Sequence, residues 1–373
     1  EDLRILIMSA TLNMPQLTSL LKSEAVVSKG RQYPVDVQYE GDSDEFMMAE
    51  MCARSIQKAI KAHDGDVLAF LPGQGEIHKT ADLLKGKVGN ARIHLLYGQL
   101  PQNKQRAAIL PDQNGQRKIV LATSIAETSL TIEGVKIVVD SGFGRHSQFD
   151  PNSGLSRLET HRISRDSADQ RAGRAGRLSP GVAFRLWSKA THSRLTDHIL
   201  PEIEQADLAS LVLEMAQWGI SDIQQMTWLT PPPKGHLLQA RELLHELEAL
   251  ENGKITAHGK AMAKLPCHPR IAHMLIMAEE QDQVALAADI AALLEERDPL
   301  GREAGSDINE RIDVLRTHRR EQRDNHKWGR LAKIASQYRK LFDEPEDNDP
   351  HDPYETSVLI TYAYPERIAH ARP

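Results

Sequence analysis

The sequence predicts an α/β half built on a parallel sheet, then a winged-helix segment, then an all-helical region. Three observations predict it. Short, continuously apolar runs alternate with helical stretches up to about residue 190, the pattern of a parallel sheet covered on both faces. A leucine-rich helix then gives way to "ENGKIT", a helix-then-wing pattern. From Pro266 onward the chain reads as helix almost throughout.

Five strands are expected in the first half: "RILIMSA" (Arg4–Ala10), "DVLAFLP" (Asp66–Pro72), "ARIHLLYG" (Ala91–Gly98), "RKIVLATS" (Arg117–Ser124) and "VKIVVDSG" (Val135–Gly142). Helices are expected over Glu45–His63 and Glu76–Lys85, and a β-hairpin over Arg145–Arg162, turning at "DPNSG". Farther on, Leu208, Leu211, Val212 and Met215 form one helical stripe, and Leu237, Leu243, Leu244 and Leu247 another beyond "PPPKG". In such a sheet, ligands are expected at the carboxyl ends of the strands.

Composition bounds the function. Of 373 residues, 40% are hydrophobic and 26% charged, an ordinary soluble balance, and the 5% aromatic content excludes base stacking as a dominant theme. Cys52 and Cys267 stand far apart with no CxxC, which excludes a disulfide framework or zinc ribbon and predicts a reducing, cytoplasmic setting. The apolar runs are strand-sized, so no membrane span is expected. The chain opens on Glu1, without Met or signal peptide, and is expected to be a piece of something longer. Its net charge of −6 conceals basic stretches at Arg157–Arg177 and Arg302–Lys340, while "DEPEDNDPHD" (Asp343–Asp352) reads as a solvated acidic loop.

The chemistry gathers in polar loops that follow the strands: "MSATL", "FLPGQGEI" and "LATSIAETSLTIEG". "QRAGRAGR" follows the hairpin and sets Arg171, Arg174 and Arg177 three residues apart. Guanidiniums that close repel one another unless an anion lies between them, and their planar fork suits phosphate oxygens. Gly173 and Gly176 are expected to let the backbone approach that anion. "CHPRIAH" offers Cys267, His268 and His273 but no fourth ligand, and reads as a loop entering a packed helix rather than a metal site. Trp187, Trp218 and Trp228 read as core.

"SAT" (Ser9–Thr11), "FLPGQGEI" (Phe70–Ile77), "ATSIAETSLTIEGV" (Ala122–Val135) and "QRAGRAGR" (Gln170–Arg177) resemble motifs III, IV, V and VI of superfamily 2 helicases of the DEAH-box branch. "WLTPPP", "LLHELEALENGKIT", "GKAMAKLPCHPRIAHML", "LLEERDPL" and "AYPERIA" extend the resemblance, toward one bacterial type, across essentially the whole chain.

The resemblance implies a layout. Residues 1–30 would end a first RecA-like lobe, 31–190 form the second RecA-like lobe, 191–265 a winged-helix domain, and 266–373 a helical, ratchet-like bundle cut short at its end. It also implies roles. Arg174 and Arg177 would be arginine fingers on the γ-phosphate, and Gln170 would place the attacking water. Ser129 would sense the nucleotide state, while Thr131 and Glu133 would lie near phosphates and ribose. Gly73, Thr123 and Ser124 would hold phosphates of a single strand, RNA rather than DNA. Ser9 and Thr11 would couple hydrolysis to domain motion. Arg316, Arg319, Arg320 and Arg323 are candidates to touch the strand, and the hairpin would act as a wedge.

Two departures stand out. Ser124 replaces the usual Asn, and "AAILP" around Ile109 offers no aromatic to stack on adenine, so any nucleoside triphosphate would serve. The chain has no DExH box and no GxxxxGK[ST] loop. "GQGEIHKT" (Gly73–Thr80) mimics the loop's spacing, but His78 stands where glycine is required and Lys79 and Thr80 fall in an expected helix. ATP and Mg²⁺ would then be held mainly by a preceding lobe, and this chain would not hydrolyse ATP by itself. A non-catalytic nucleic-acid-binding module and an interaction scaffold are the alternatives, although neither uses arginine fingers.

Overall fold

The computed structural model describes residues 6–8, 14–27, 33–42, 44–112, 114–127, 131–150, 155–301, 303–321 and 325–368. They fall into two compact units, Glu1–Ala206 and Asp207–Pro373.

The first unit begins with helix α1 (Met14–Leu21) and is built on a six-stranded parallel sheet. Its strands are β1 (Val35–Tyr39), β2 (Asp66–Phe70), β3 (Arg92–Leu96), β4 (Lys118–Ala122), β5 (Val135–Asp140) and, beyond the hairpin, β8 (Gly181–Arg185). They lie in the order β1-β8-β5-β2-β4-β3. Helix α2 (Met48–Ala62) follows β1, α3 (Gln74–Leu84) follows β2, and α4 (Gln102–Ile109) follows β3. Both sheet faces are covered. Val67, Ala69, Ile119, Leu121, Ile137 and Val139 pack one way, against Cys52 and Ile56 of α2 and Ile77 of α3. Leu68, Phe70, Val120, Ala122 and Val138 pack the other way, against Ala108, Ala172 and Ala175. This two-faced burial explains why the strand sequences are apolar throughout instead of alternating.

Four expected strands are present; β1 ("VDVQY") and β8 ("GVAFR") are not expected, lacking an apolar run of four residues. The strand expected at Arg4–Ala10 lies mostly outside the described residues, and Leu6, Ile7 and Met8 are exposed there. The hairpin is present as β6 (Phe143–Asp150) and β7 (Leu155–Arg162), antiparallel with Phe143 opposite Arg162. Helix α5 (Arg165–Gly173) follows and tightens into a 3₁₀ turn at Arg174–Gly176; α6 (Lys189–Arg194) lies beyond β8.

The second unit opens with α7 (Ala209–Gln217) and α8 (Lys234–Glu246), whose expected apolar stripes face inward, with Leu208, Val212, Met215, Leu237, Leu243, Leu244 and Leu247 buried. β9 (Leu250–Glu251) and β10 (Lys254–Ile255) make the wing. They are joined by Asn252 and Gly253, both at positive φ (49° and 75°), the conformation a two-residue hairpin turn requires. Helices α9 (Ala257–Met262), α10 (Pro269–Glu279), α11 (Val284–Glu295), α12 (Ile308–Glu321), α13 (His326–Lys340) and α14 (Pro353–Ala363) complete it.

The structure corrects three expectations. Trp187 is fully buried and Trp228 half-buried, but Trp218 is 72% exposed, because it caps α7 at a turn instead of extending its stripe. Arg316 and Arg319 are not on a nucleic-acid surface: Arg316 is buried, the side chain of Arg319 is 4% exposed, and Arg319 grips the fully buried Asp289 through two 2.7 Å bonds. The acidic segment is no simple solvated loop either. Asp347 accepts from Arg316, Glu346 from Arg339, and the Asn348 carbonyl from Arg320. Arg323 lies outside the described residues.

In "CHPRIAH", His268 caps α10 and bonds Asp207 at 3.2 Å, while His273 bonds His258 at 2.7 Å. Among the described residues, no helix is long and apolar enough to cross a membrane.

Candidate nucleotide and strand-binding site

Two loops come together at the carboxyl ends of β2 and β4. Phe70 and Ala122 are register partners, and the Leu71 N–H donates to the Ala122 carbonyl at 2.8 Å. Gly73, just beyond, is the extended N-cap of α3, and Thr123 is the extended N-cap of the 3₁₀ turn Ser124–Ala126. Gly73, Thr123 and Ser124 are thereby neighbours, each beside a helical N-terminus where N–H groups lack intrahelical partners. Gly73 has a steric reason as well. A Cβ there would meet the Arg145 guanidinium at 2.1 Å, and Arg145 is itself held by Glu76 at 3.0 Å and Thr160 at 3.1 Å. Lys79 and Thr80 lie inside α3, where Lys79 pairs with Glu50 and Thr80 is buried, so "GQGEIHKT" forms a helix and not a phosphate loop.

The arginine-bearing segment runs away from that mouth. Ser164 is the N-cap of α5, and Asp166 in the first turn suits the positive end of the helix. Arg171 lies against the carboxyl end of β5, bonding Asp140 at 3.0 Å, whereas the Gly176 carbonyl accepts from Tyr33, ahead of the amino end of β1. Helix α5 therefore returns antiparallel to the strands. Arg174 reaches back to the Glu127 carbonyl, just beyond the carboxyl end of β4, and Arg177 lies farther along, at Thr131. The loop after β4 makes the same journey, from Thr123 to Gly134, whose carbonyl accepts from Asp66 at the start of β2.

The three arginines differ in kind. Arg171 is buried and held by Glu127 at 2.8 Å and Asp140 at 3.0 Å. Burial alone would lower its pKa, but the two carboxylates outweigh burial and raise it. The anion it awaited is in its own chain. Arg174, also buried, donates through Nε and Nη2 to the Glu127 carbonyl. Burial, with the neighbouring Arg177 charge, lowers its pKa to about 10. Arg177 is exposed and donates to the Thr131 hydroxyl at 2.5 Å. Gln170 is half-buried on α5, one turn before Arg174. Glu133 is exposed near Lys118 at the amino end of β4. Thr131 is thus brought to the arginines, and Glu133 is on the same loop. Ser129, Ser9 and Thr11 lie outside the described residues.

The two glycines of this segment differ. Gly173 has open space where a Cβ would stand, but a Cβ on Gly176 would meet the Tyr33 carbonyl oxygen at 2.5 Å.

Comparison with known proteins agrees with this geometry. Residues 50–179 match the helicase conserved C-terminal domain, and residues 240–267 match the winged-helix helicase associated domain, HA2. The ATP-dependent RNA helicase HrpB of Escherichia coli (strain K12) is 45% identical over 303 residues, 81% of this chain and 38% of that protein. A crystal structure of the E. coli DExH-box NTPase HrpB superposes with a TM-score of 0.81 at 40% identity, covering 100% of this chain and 44% of the solved one. A second, of the Escherichia coli DEAH/RHA helicase HrpB, gives 0.84 at 39%, covering 98% and 45%. Over nearly its whole length the chain is similar to these HrpB helicases. It spans less than half the length of the relatives it matches.

Within this HrpB-like chain, sequence reasoning passed over Glu127. It lies in the fifth-motif segment, yet the reading dwelt on that segment's hydroxyls. A lone carboxylate between Ala126 and Thr128, ahead of a run of arginines, was the available signal. Arg145 was read only as a hairpin end; its spacing gave no sign that it would lie on Gly73.

Proposed function

We propose that this chain is the rear part of an ATP-dependent RNA helicase, in which a second RecA-like lobe supplies arginines to a nucleotide held by a preceding lobe. The subdivision at residues 30, 190 and 265 belongs to the same reading. What carries it is the Arg174–Arg177 pair. Two guanidiniums stand within electrostatic reach, and burial together with like charge lowers Arg174 to about 10. A site that disfavours its own positive charge favours an anion of high charge density, and a triphosphate fits. Bound Mg²⁺ would neutralise phosphate charge there; the chain's part is to place Arg174, Arg177 and Gln170 against the transferring group.

Gly73, Thr123 and Ser124 support the second half of the reading. Neighbouring helical N-termini at the carboxyl ends of β2 and β4 suit successive phosphates of a single strand, held through backbone, with RNA favoured by the relatives' names. The hairpin β6–β7 stands next to them as a wedge, and Ser9 and Thr11 would couple the lobes. Ile109 is packed under the sheet instead of offering a ring to a base, so nucleotide choice should be loose among ATP and other triphosphates. The protein would work in the cytoplasm.

The test is ATP turnover and single-stranded RNA binding by this chain and by the full-length protein. We expect strand binding by both, weakening as salt rises because phosphate contacts release counterions, and RNA-stimulated turnover only by the full-length protein. Turnover by this chain alone, abolished by Lys79→Ala, would overturn the division of labour. Strand binding by a full-length protein without any turnover would favour a non-catalytic binding module.

A further inference from the structure

Glu127 serves two arginines with two different groups. Its side chain accepts from Arg171 Nε at 2.8 Å and from Ser167 Oγ at 2.7 Å. Its backbone carbonyl accepts from Arg174. Arg171, in turn, cannot drift. It is 2% exposed, its Nη1 reaches Asp140 at 3.0 Å and the Phe143 carbonyl at 3.1 Å, and its guanidinium lies 5.0 Å from the Phe70 ring centroid. One buried cation thus fixes the side chain of Glu127, and Glu127 presents a carbonyl to the arginine beyond it.

That linkage has a chemical consequence. A carbonyl steers a guanidinium along its lone-pair directions, and a shift of about 1 Å in a catalytic group can cost a hundredfold in rate. Rotating the Glu127 peptide would re-aim Arg174 without touching it. The carboxylate is well matched to holding that peptide still, because its two oxygens take one donor each. A shorter Asp would not span the gap to both.

We propose that Glu127 is a positioning residue for Arg174, clamped from inside by Arg171. This rests on reading Arg174 as the phosphate-facing arginine. Gln at 127 can keep Oε1 toward Arg171 and turn its amide nitrogen toward the Ser167 oxygen, which can accept; Ala removes both bonds.

The experiment is a double-mutant cycle in the full-length protein, reading kcat and KM for ATP at saturating RNA, with thermal unfolding alongside. Glu127→Ala is expected to lower kcat about 10–100-fold with KM changed less than about threefold, and Glu127→Gln to restore most of it. In an Arg174→Ala background, Glu127→Ala should change kcat less than about twofold, because the group it positions is gone. Multiplying effects would overturn the proposal, since Glu127 would then act by another route. So would an unchanged kcat in Glu127→Ala beside a crippled Arg174→Ala. If Arg174→Ala itself leaves turnover intact, the phosphate-facing reading fails, and the positioning role with it. Should Glu127→Ala not fold, Ser167→Ala removes one of the two restraints and is read in the same cycle.

Discussion

The two arginine clusters of this chain have the same spacing and opposite fates. Arg171, Arg174 and Arg177 in the first unit, and Arg316 and Arg319 in the second, recur every three residues. In the second unit the cations are matched from within. Asp289, fully buried on α11, takes Arg319 twice at 2.7 Å and Arg316 at 3.2 Å, with Arg339 at 3.8 Å, and the segment after α13 supplies Glu346 and Asp347. In the first unit the leading arginine is matched in this way, by Glu127 and Asp140. Arg177 reaches a hydroxyl, and Arg174, pressed by burial and by Arg177, titrates near 10. Spacing announces that arginines will cluster; where the carboxylates stand decides whether the cluster is a strut or a receptor.

The sharpest way to break that contrast is Arg177→Ala in the full-length protein. As a receptor residue it should lower ATP turnover by about 10³–10⁵-fold while strand binding and thermal unfolding stay near wild type. A parallel loss of stability would make the first cluster a strut like the second.

Next in size is Asp289→Asn. Leaving three guanidiniums around a neutral amide removes one side of a buried ionic network, a change worth about 3–5 kcal/mol. Denaturant unfolding of this chain should show it as a lower midpoint. A shift under about 1 kcal/mol, with weakened RNA binding instead, would return Arg316 and Arg319 to the nucleic-acid surface.

Gly176→Ala probes the turn that carries Arg174 and leads to Arg177. The new Cβ would lie 2.5 Å from the Tyr33 carbonyl oxygen, a backbone atom that cannot swing aside. Destabilisation of about 1–3 kcal/mol is expected, with Gly173→Ala near neutral because its Cβ meets open space. Equal effects at both glycines would mean that backbone freedom, not contact, selects glycine there.

Much of this was legible beforehand, and the failures share a cause. Four strands, the hairpin, the wing and the helical tail follow from local periodicity and turn chemistry, which a single sequence carries. Helix α5's return along the sheet is a consequence of topology, and it carries Arg177 on to Thr131, farther from the strand mouths than Arg171. Glu127 precedes Arg171 by 44 residues, and Asp289 precedes Arg319 by 30, so pairing across the fold could not be read from spacing. A buried partner distant in sequence is what turns an apparent nucleic-acid contact such as Arg319 into a strut.

The last prediction concerns a third way to bury a cationic group, which is to leave it uncharged. His273 is 7% exposed, bonds His258 at 2.7 Å and lies edge-on to Tyr362. Burial, helped by His258, pushes its pKa from 6.5 down to about 4. Above about pH 6.5 the ring is neutral in both folded and unfolded chain and contributes no pH dependence. As pH falls from about 6.5 to 4, the unfolded chain takes up a proton that the folded chain refuses, so stability falls, by about 3 kcal/mol. Below about 4 the folded ring protonates too and this loss levels off. Urea midpoints of the chain between pH 7 and 4.5 should therefore drop, and His273→Gln should flatten the slope. A variant as steep as the wild type would place the acid sensitivity elsewhere, and His273 would then keep its proton in the folded chain, as the paired arginines keep theirs.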